Sequence, residues 1–270
     1  YRGYAEAVKP GRYLLKSNMN NLEAINLLRS GNQVPVNVTF NNVRLLSELP
    51  EKLCTNIALT ADELAETMED SVLVASYGFD RENLISMFIP NTYEVYWDIS
   101  AKQLLDRMHR EYLAFWDDQK IQKADSLGLS PQQVSVLASI VYAESQQHAE
   151  ELPRIAGLYL NRLNNNMALQ ADPTLVFALG DFSIKRVLND HKEIDSPYNT
   201  YKYTGLPPGP IRSPSIAAIQ GVLNHEKHNY LYMCAKEDFS GYHNFATNLV
   251  DHNRNAQRYQ RALNQAKLYR

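Results

Sequence analysis

The stretch "LASIVYAESQQ", residues 137–147, places an acid where an apolar residue belongs. Leu137, Val141 and Glu144 are spaced four and three apart. On a helix of about 3.6 residues per turn, a seven-residue step returns to within about 20° of its start. Glu144 therefore shares the stripe of Leu137 and Val141 rather than the direction of Gln146 and Gln147. A carboxyl on an apolar face loses hydration, which disfavours its ionised form and raises its pKa. A general acid that protonates a glycosidic oxygen is tuned this way, to about 6 in lysozyme. The structural alternative is a helix-end Glu bent back to water, or one paired with Arg154 or Arg162.

Other candidates are polar clusters. "LQADPT" carries Gln170 and Asp172, although Asp before Pro173 also reads as turn chemistry. "SPYNTYKYTGLPPG" packs Tyr198, Asn199, Thr200 and Tyr201 into four positions. Such a mixture suits a sugar, with ring faces for its C–H side and amides and hydroxyls for its OH groups. "YHNFATNLVDHN" holds His243, Thr247, Asn248 and His252. Two His and an Asp suggest a metal, but they span a strand-to-helix junction without HExxH spacing, and Thr247 or Asn248 serves equally as an N-cap. His225 and His228, near a helix end, read as dipole partners. No metal and no cofactor are expected. There is no GxSxG elbow, no reactive Cys motif and no Gly-rich phosphate loop. Ordinary glycosidases use two carboxylates, and no pattern fixes a second one beside Glu144.

The elements that must position these groups read as α+β. "GRYLLK" suggests a short strand, and "NNLEAINLLRSG" an amphipathic helix closed by Gly31. "PVNVTF" and "MFIPNTYEVYW" are strands flanking two helical stretches, about 45–53 and 60–68, the second opened by a Thr60/Glu63 capping box. A long helix is expected from Ser100 through residue 128. "LSPQQVSVLASIVYAES" opens cleanly with Ser130, Pro131 and Gln133. "PRIAGLYLNRLNNN" is a further helix. Residues 167–214 read as one long loop, and a loop of that length inside a compact domain is usually functional. Ser213 and Pro214 restart a helix. "YLYMCAK" and "YHNFA" form a hairpin, and a last helix starts near Asn248. The result is two unequal parts, with a groove between the helix of residues 131–145 and the later loops.

Composition narrows the partners. The chain has 270 residues and a formal charge of −3, which offers no basic footprint for nucleic acid. Tyrosine is abundant, with 17 Tyr against 8 Phe and 2 Trp, and a ring with a polar tip suits wet ligands as well as core edges. Cys54 and Cys234 lie far apart, and whether they pair is open. No apolar run is long enough to span a bilayer.

In order and spacing, "ASIVYAES", "LYLNRL", "LQADPT", "YNTYKYTGLPPGPIRSP" and "HNFATNLVDHN" resemble the endolytic murein transglycosylases of the MltG or YceG-like type. The upstream "KPGRYLL", "AINLLRSG" and "FIPNTYE" resemble that family's N-terminal region, so the likeness covers almost the whole chain. It implies that Glu144 is the sole catalytic acid and then base on the bond between N-acetylmuramic acid and N-acetylglucosamine. An attacking muramoyl 6-hydroxyl would replace water and leave a 1,6-anhydro end. It implies that Gln170, Asp172, Tyr198, Asn199, Thr200, Tyr201, His243, Thr247 and His252 line the glycan groove. It further implies a strand-helix segment at 1–33, a LysM-like βααβ module at 34–97 and a larger mixed α+β catalytic domain at 98–270. Peptidoglycan strands are the implied partner, with cell-wall synthases nearby. An N-terminal helix upstream of these residues would anchor the chain in the inner membrane, with this region on the extracytoplasmic side. A non-catalytic peptidoglycan-binding or assembly scaffold is the alternative, and a two-carboxylate muramidase a third. Two departures stand out. Tyr142 and Ala143 precede the Glu where the family often has charged residues, and Asn91 replaces Asp in Pro-Asp-Thr-Tyr.

Overall fold

The computed structural model describes residues 8–184 and 186–266. The expected strand at 11–16 is absent. That stretch is irregular and makes one cross-chain backbone bond, from the Val34 N–H to the Arg12 carbonyl at 2.8 Å. One bond is not a ladder, and Leu14 and Leu15 remain exposed with no apolar surface to cover. Helix α1 (Asn21–Ser30) follows, with an Asn20/Glu23 capping box and Gly31 at φ 75° as its left-handed C-cap.

Strands β1 (Val36–Phe40) and β2 (Asn91–Val95) pair antiparallel, with Val38 opposite Tyr93. Val36, Val38 and Phe40 point inward, as period-two alternation requires. The Phe40 ring stacks on Tyr93 at 5.9 Å and meets Phe88 edge-on at 6.2 Å. Between the strands lie α2 (Leu49–Leu53), α3 (Ala61–Glu69) and α4 (Ser71–Ser76). The last was not expected. Asp70 creates it by accepting from the N–H groups of Val72 and Leu73, both at 3.0 Å, so the chain turns and re-enters a helix.

The long helix predicted from Ser100 is two helices, α5 (Ala101–Phe115) and α6 (Asp118–Ser126). Trp116 leaves helical geometry at ψ 67°, and the Asp117 carboxylate caps the second helix through the Lys120 N–H at 2.9 Å. The break lets the Trp116 indole enter the core, where it is 4% exposed. Helix α5 packs on α3 and sets Tyr112 edge-on to Phe79 at 5.0 Å.

Helix α7 (Pro131–Glu144) begins as read, with Ser130 and Gln133 forming the capping box and Pro131 at N1. Helix α8 (Leu152–Asn164) follows. The expected long loop contains a further helix, α9 (Asp172–Leu179), so Asp172 opens a helix rather than a plain turn. Helix α10 (Ile216–Leu223) is capped by Ser215, not Ser213. Ser213 is buried one segment earlier, its N–H donating to the Val43 carbonyl at 2.8 Å. Strands β3 (Tyr232–Ala235) and β4 (His243–Ala246) form the expected antiparallel hairpin. Helix α11 (Leu249–Gln265), capped by Asn248, lies against it.

Helices α7, α8 and α10 pack on one another. Gly221 permits the α8–α10 approach, since a Cβ there would sit 3.1 Å from the Leu152 Cβ. One buried apolar cluster runs from Val36 and Phe40 through Leu104 and Leu137 to Ile219. The fold is thus mixed α+β. No described helix is long and apolar enough to cross a membrane. Cys54 and Cys234 are both free.

Candidate active site

Glu144 is the last residue of α7, one turn beyond Val141 and two beyond Leu137, both fully buried. Its own side chain is half-buried and accepts a hydrogen bond from the Tyr159 hydroxyl at 2.6 Å. Tyr159 comes from α8 and is 2% exposed, so the acid is held by a donor packed into the core. Among the described residues Glu144 makes no ion pair, and Arg154 is engaged by Glu226 at 2.9 Å. Burial pushes the Glu144 carboxyl above the ordinary range. The Tyr159 hydrogen bond and the nearby charges of His243 and Arg162 oppose this, Asp172 reinforces it, and burial wins. The same burial and the Glu144 charge hold Tyr159 well above a normal phenol.

Arg162 lies one turn beyond Tyr159 on α8 and is 6% exposed. Its Nε donates to the Leu231 carbonyl at 2.6 Å, and its Nη1 to those of Ala168 and Leu169 at 3.0 and 2.8 Å. These bonds tie α8 to the β3 approach and to the segment leading into α9. They also fix a buried positive charge close enough to bias Glu144.

Two cavities share Glu144 and Asp172 in their walls. One, of about 430 Å3, is bordered by Tyr159, Arg162, Gln170, Tyr201, His243 and His252. The other, of about 270 Å3, lies toward Arg44, Phe177, Phe182 and Arg212. The acid at the end of α7 therefore stands where the two meet.

The structure gathers some of the residues predicted from sequence and separates others. Asp172 accepts from the Tyr201 hydroxyl at 2.5 Å. Gln170 sits at φ 53°, its N–H donating to the Thr200 carbonyl at 2.9 Å, and its side chain reaches the larger Glu144 cavity. His243 borders that cavity with its Nδ1 on Glu151 at 2.9 Å. His252 stacks on Tyr232 at 5.4 Å, and its Nδ1 is buried without a partner. Burial and Arg162 push its pKa down, favouring the neutral ring.

Four predicted residues do not line either cavity. Asn199 is fully buried and brackets its own loop, donating to the carbonyls of Lys192 and Ile194 and accepting from the N–H of Tyr201. Thr200 is 2% exposed, and its hydroxyl bonds the Ala171 N–H and the Thr174 hydroxyl. Both shape the loop rather than face a ligand. Tyr198 packs on Phe177 at 4.8 Å and opens onto a different cavity, beside α4. Thr247 is exposed beside the Asn248 cap and borders neither cavity.

Sequence reasoning missed Tyr159, Glu151 and Tyr232, and saw Arg162 only as a neutralising partner. Tyr159 and Arg162 stand three apart in "LYLNRL", a spacing that puts both on one helix face. Glu151 reads as an ordinary first-turn acid, yet it is 5% exposed and accepts from both the backbone N–H and the ring of His243.

Comparison with known proteins gives the chain its family. The sequence model of the YceG-like family matches residues 1–258. An endolytic murein transglycosylase of Bacillus subtilis (strain 168) is 34% identical over 162 residues, covering 60% of this chain and 44% of that protein. One of Streptococcus pneumoniae serotype 2 (strain D39) is 28% identical over 289 residues, covering 94% of this chain and 51% of that protein. The chain thus spans about half the length of the curated relatives it matches. The crystal structure of a yceG-like protein from Listeria monocytogenes superposes with a TM-score of 0.69 at 27% identity, covering 92% of this chain and 84% of that one. A match from the first residue to within the last helix, together with a shared fold, means that this chain belongs to the YceG-like family.

Proposed function

We propose that the chain is a peptidoglycan lytic transglycosylase that cuts the β-1,4 bond between N-acetylmuramic acid and N-acetylglucosamine within glycan strands. One observation carries the reading: a partly desolvated acid, its pKa raised by burial, stands where two cavities meet. A strand laid through both would pass Glu144 with sugars on either side, which suits internal cleavage. Two relatives named endolytic murein transglycosylase support the substrate.

The chemistry needs no cofactor. The protonated Glu144 gives its proton to the bridging oxygen as the bond from C1 to that oxygen breaks. The muramoyl 6-hydroxyl oxygen then bonds to C1 and returns its proton to the Glu144 carboxylate. A 1,6-anhydro ring results, and no water is consumed. Holding the hydroxyl on the same sugar supplies a high effective concentration of nucleophile. Tyr159 keeps the carboxyl aimed, and Gln170, Tyr201, His243 and His252 offer polar contacts to the sugars of the larger cavity. The β1–β2 module with its helices is taken as LysM-like and as a second hold on the strand. Such a substrate places the chain outside the cytoplasm, with an upstream helix in the membrane and synthases beside it.

Replacing Glu144 by Gln preserves shape and removes the titrating proton. Mass spectrometry of sacculus digests should show anhydro-muropeptides from the parent and none from the variant. Equal release from both would end the assignment, and binding without product from the parent would favour a scaffold.

A second reading has one observation in its favour. Asp172 borders both cavities, close enough to act on Glu144, which supplies the second carboxylate that hydrolysis requires. Oxygen-18 water separates the two readings, since a hydrolase leaves label on reducing ends and the anhydro route leaves none.

A further inference from the structure

Arg212 is 5% exposed, yet among the described residues no carboxylate lies in ion-pair contact with it. Its backbone is pinned on both sides, by the Ile211 N–H donating to the Ser139 hydroxyl at 3.1 Å and the Ser213 N–H donating to the Val43 carbonyl. The guanidinium lies 4.7 Å from the Tyr142 ring centroid. Among the described residues only Nη2 meets a protein acceptor, the Asn42 side chain, and Nε is buried with none. Burial pushes the Arg212 pKa down; Tyr142 and Glu48 oppose this, and Arg44 stands close enough to add to it. Arg44 lies 4.4 Å over the Phe182 ring and, among the described residues, makes no ion pair either. The nearby acid, Glu48, uses its two oxygens to accept from the N–H groups of Arg44 and Leu45.

Burying one cation beside another is costly unless a counter-charge arrives. The aromatic faces offset part of that cost but bring no negative charge. Both arginines border the smaller cavity, which Glu144 and Asp172 also line. A carboxylate entering there would receive donors from two sides, in the geometry that guanidinium groups favour.

From this we infer that Arg44 and Arg212 form a subsite for a carboxylate carried by the substituent on the muramoyl sugar next to the cleaved bond. The inference rests on the peptidoglycan reading above. Two sources share this chemistry: the free lactyl carboxylate of a sugar without peptide, and a carboxylate of the stem peptide. The subsite would thus select the state of the strand as well as its position, and it joins the segment after β1 to the loop before α10.

Binding is measured by fluorescence anisotropy with three end-labelled strand preparations and the chain carrying Glu144→Gln. One preparation keeps its stem peptides. A second is stripped by an amidase, leaving free lactyl carboxylates. The third is stripped and then capped as methylamides. At least one charged preparation should bind about tenfold tighter than the capped one, as expected for charge-assisted hydrogen bonds, and the one that does identifies the source. Adding Arg44→Gln, at a half-buried position, should erase the advantage; Arg212→Gln should do the same, with thermal unfolding confirming that each variant is folded. Equal binding of all three preparations, or an advantage that survives in both folded variants, overturns the subsite. Product analysis with the parent chain keeps the two ideas apart. Cleavage of all three with equal KM removes the subsite and leaves the activity, whereas charge-dependent binding with no new glycan ends removes the activity and leaves the subsite. Binding of none removes both.

Discussion

Glu151 and His243 are joined twice, by the His243 backbone N–H at 3.1 Å and by its ring Nδ1 at 2.9 Å, both to the carboxylate of Glu151. The acid is 5% exposed and lies in the short turn that leads into α8, while the histidine starts β4. A carboxylate accepts only, so Nδ1 carries the hydrogen and Nε2 is left as the ring's other polar atom at the cavity that holds Glu144. The pair therefore fixes both the orientation of the imidazole and which nitrogen is left for a ligand.

Glu151→Gln tests that role. The amide keeps size but can present a donor to Nδ1, which favours the other tautomer, as in the Asp-to-Asn change of a serine-protease triad. The expected result is a fall in kcat of about tenfold or more, with Tm little changed because the backbone bond can persist. Nitrogen-15 NMR of His243 should show the tautomer shift. A fall in activity with the Nδ1–H form intact would mean that Glu151 serves only the fold.

Glu144 makes a prediction about stability as well as rate. Its folded-state pKa is raised by burial, so the folded chain binds that proton more tightly than the unfolded chain. The associated stability is complete below the unfolded carboxyl value of about 4.3, and is lost as pH rises through the folded value. Glu144→Gln removes this dependence. The variant should unfold at a higher temperature than the parent at neutral pH, with the gain disappearing near pH 4 or below, while activity is abolished. Calorimetric scans across that window check it; a variant less stable than the parent at neutral pH would mean the carboxylate is well solvated.

The parts of this site that local chemistry governs were legible in the sequence. Ser130, Pro131 and Gln133 fix the start of α7, and the spacing from Leu137 then carries Glu144 to the buried face. The same logic failed at α9, because "TLVFAL" is apolar without a helical period and Asp172-Pro173 suits a turn as well as a helix start. Asn199 and Thr200 look like sugar ligands because they are polar and lie in a loop. Their donors and acceptors are spent on backbone groups, which no spacing reveals. Arg44 and Arg212 approach each other only through tertiary packing, so their shared lack of an ion-pair contact among the described residues has no trace in either neighbourhood.

Tyr159→Phe removes the hydroxyl that donates to Glu144 at 2.6 Å. That bond favours the ionised acid and opposes burial, so its loss should raise the Glu144 pKa further. The alkaline limb of the pH–rate profile should move up, and kcat/KM at the optimum should drop about tenfold, the order expected for one charge-assisted hydrogen bond. Tyr201→Phe, which frees Asp172 instead, should leave that limb nearly in place. If the two changes shift it equally, Tyr159 has no special hold on the acid.

Arg162→Lys asks whether the buried cation acts by charge or by shape. Its guanidinium reaches three carbonyls, those of Leu231, Ala168 and Leu169, in two directions at once. A lysine keeps the charge but lacks the planar fork, so it cannot reproduce that set. Leaving buried carbonyls short of donors should cost about 2–3 kcal/mol, read as a lower midpoint in urea. The retained charge should hold the alkaline limb near its parental position, because Arg162 influences Glu144 electrostatically and not through a contact. Arg162→Met removes both, and should lower stability and shift the limb upward together. A limb that moves equally in the Lys and Met variants would show that Arg162 positions α8 and the Gln170 segment without tuning the acid.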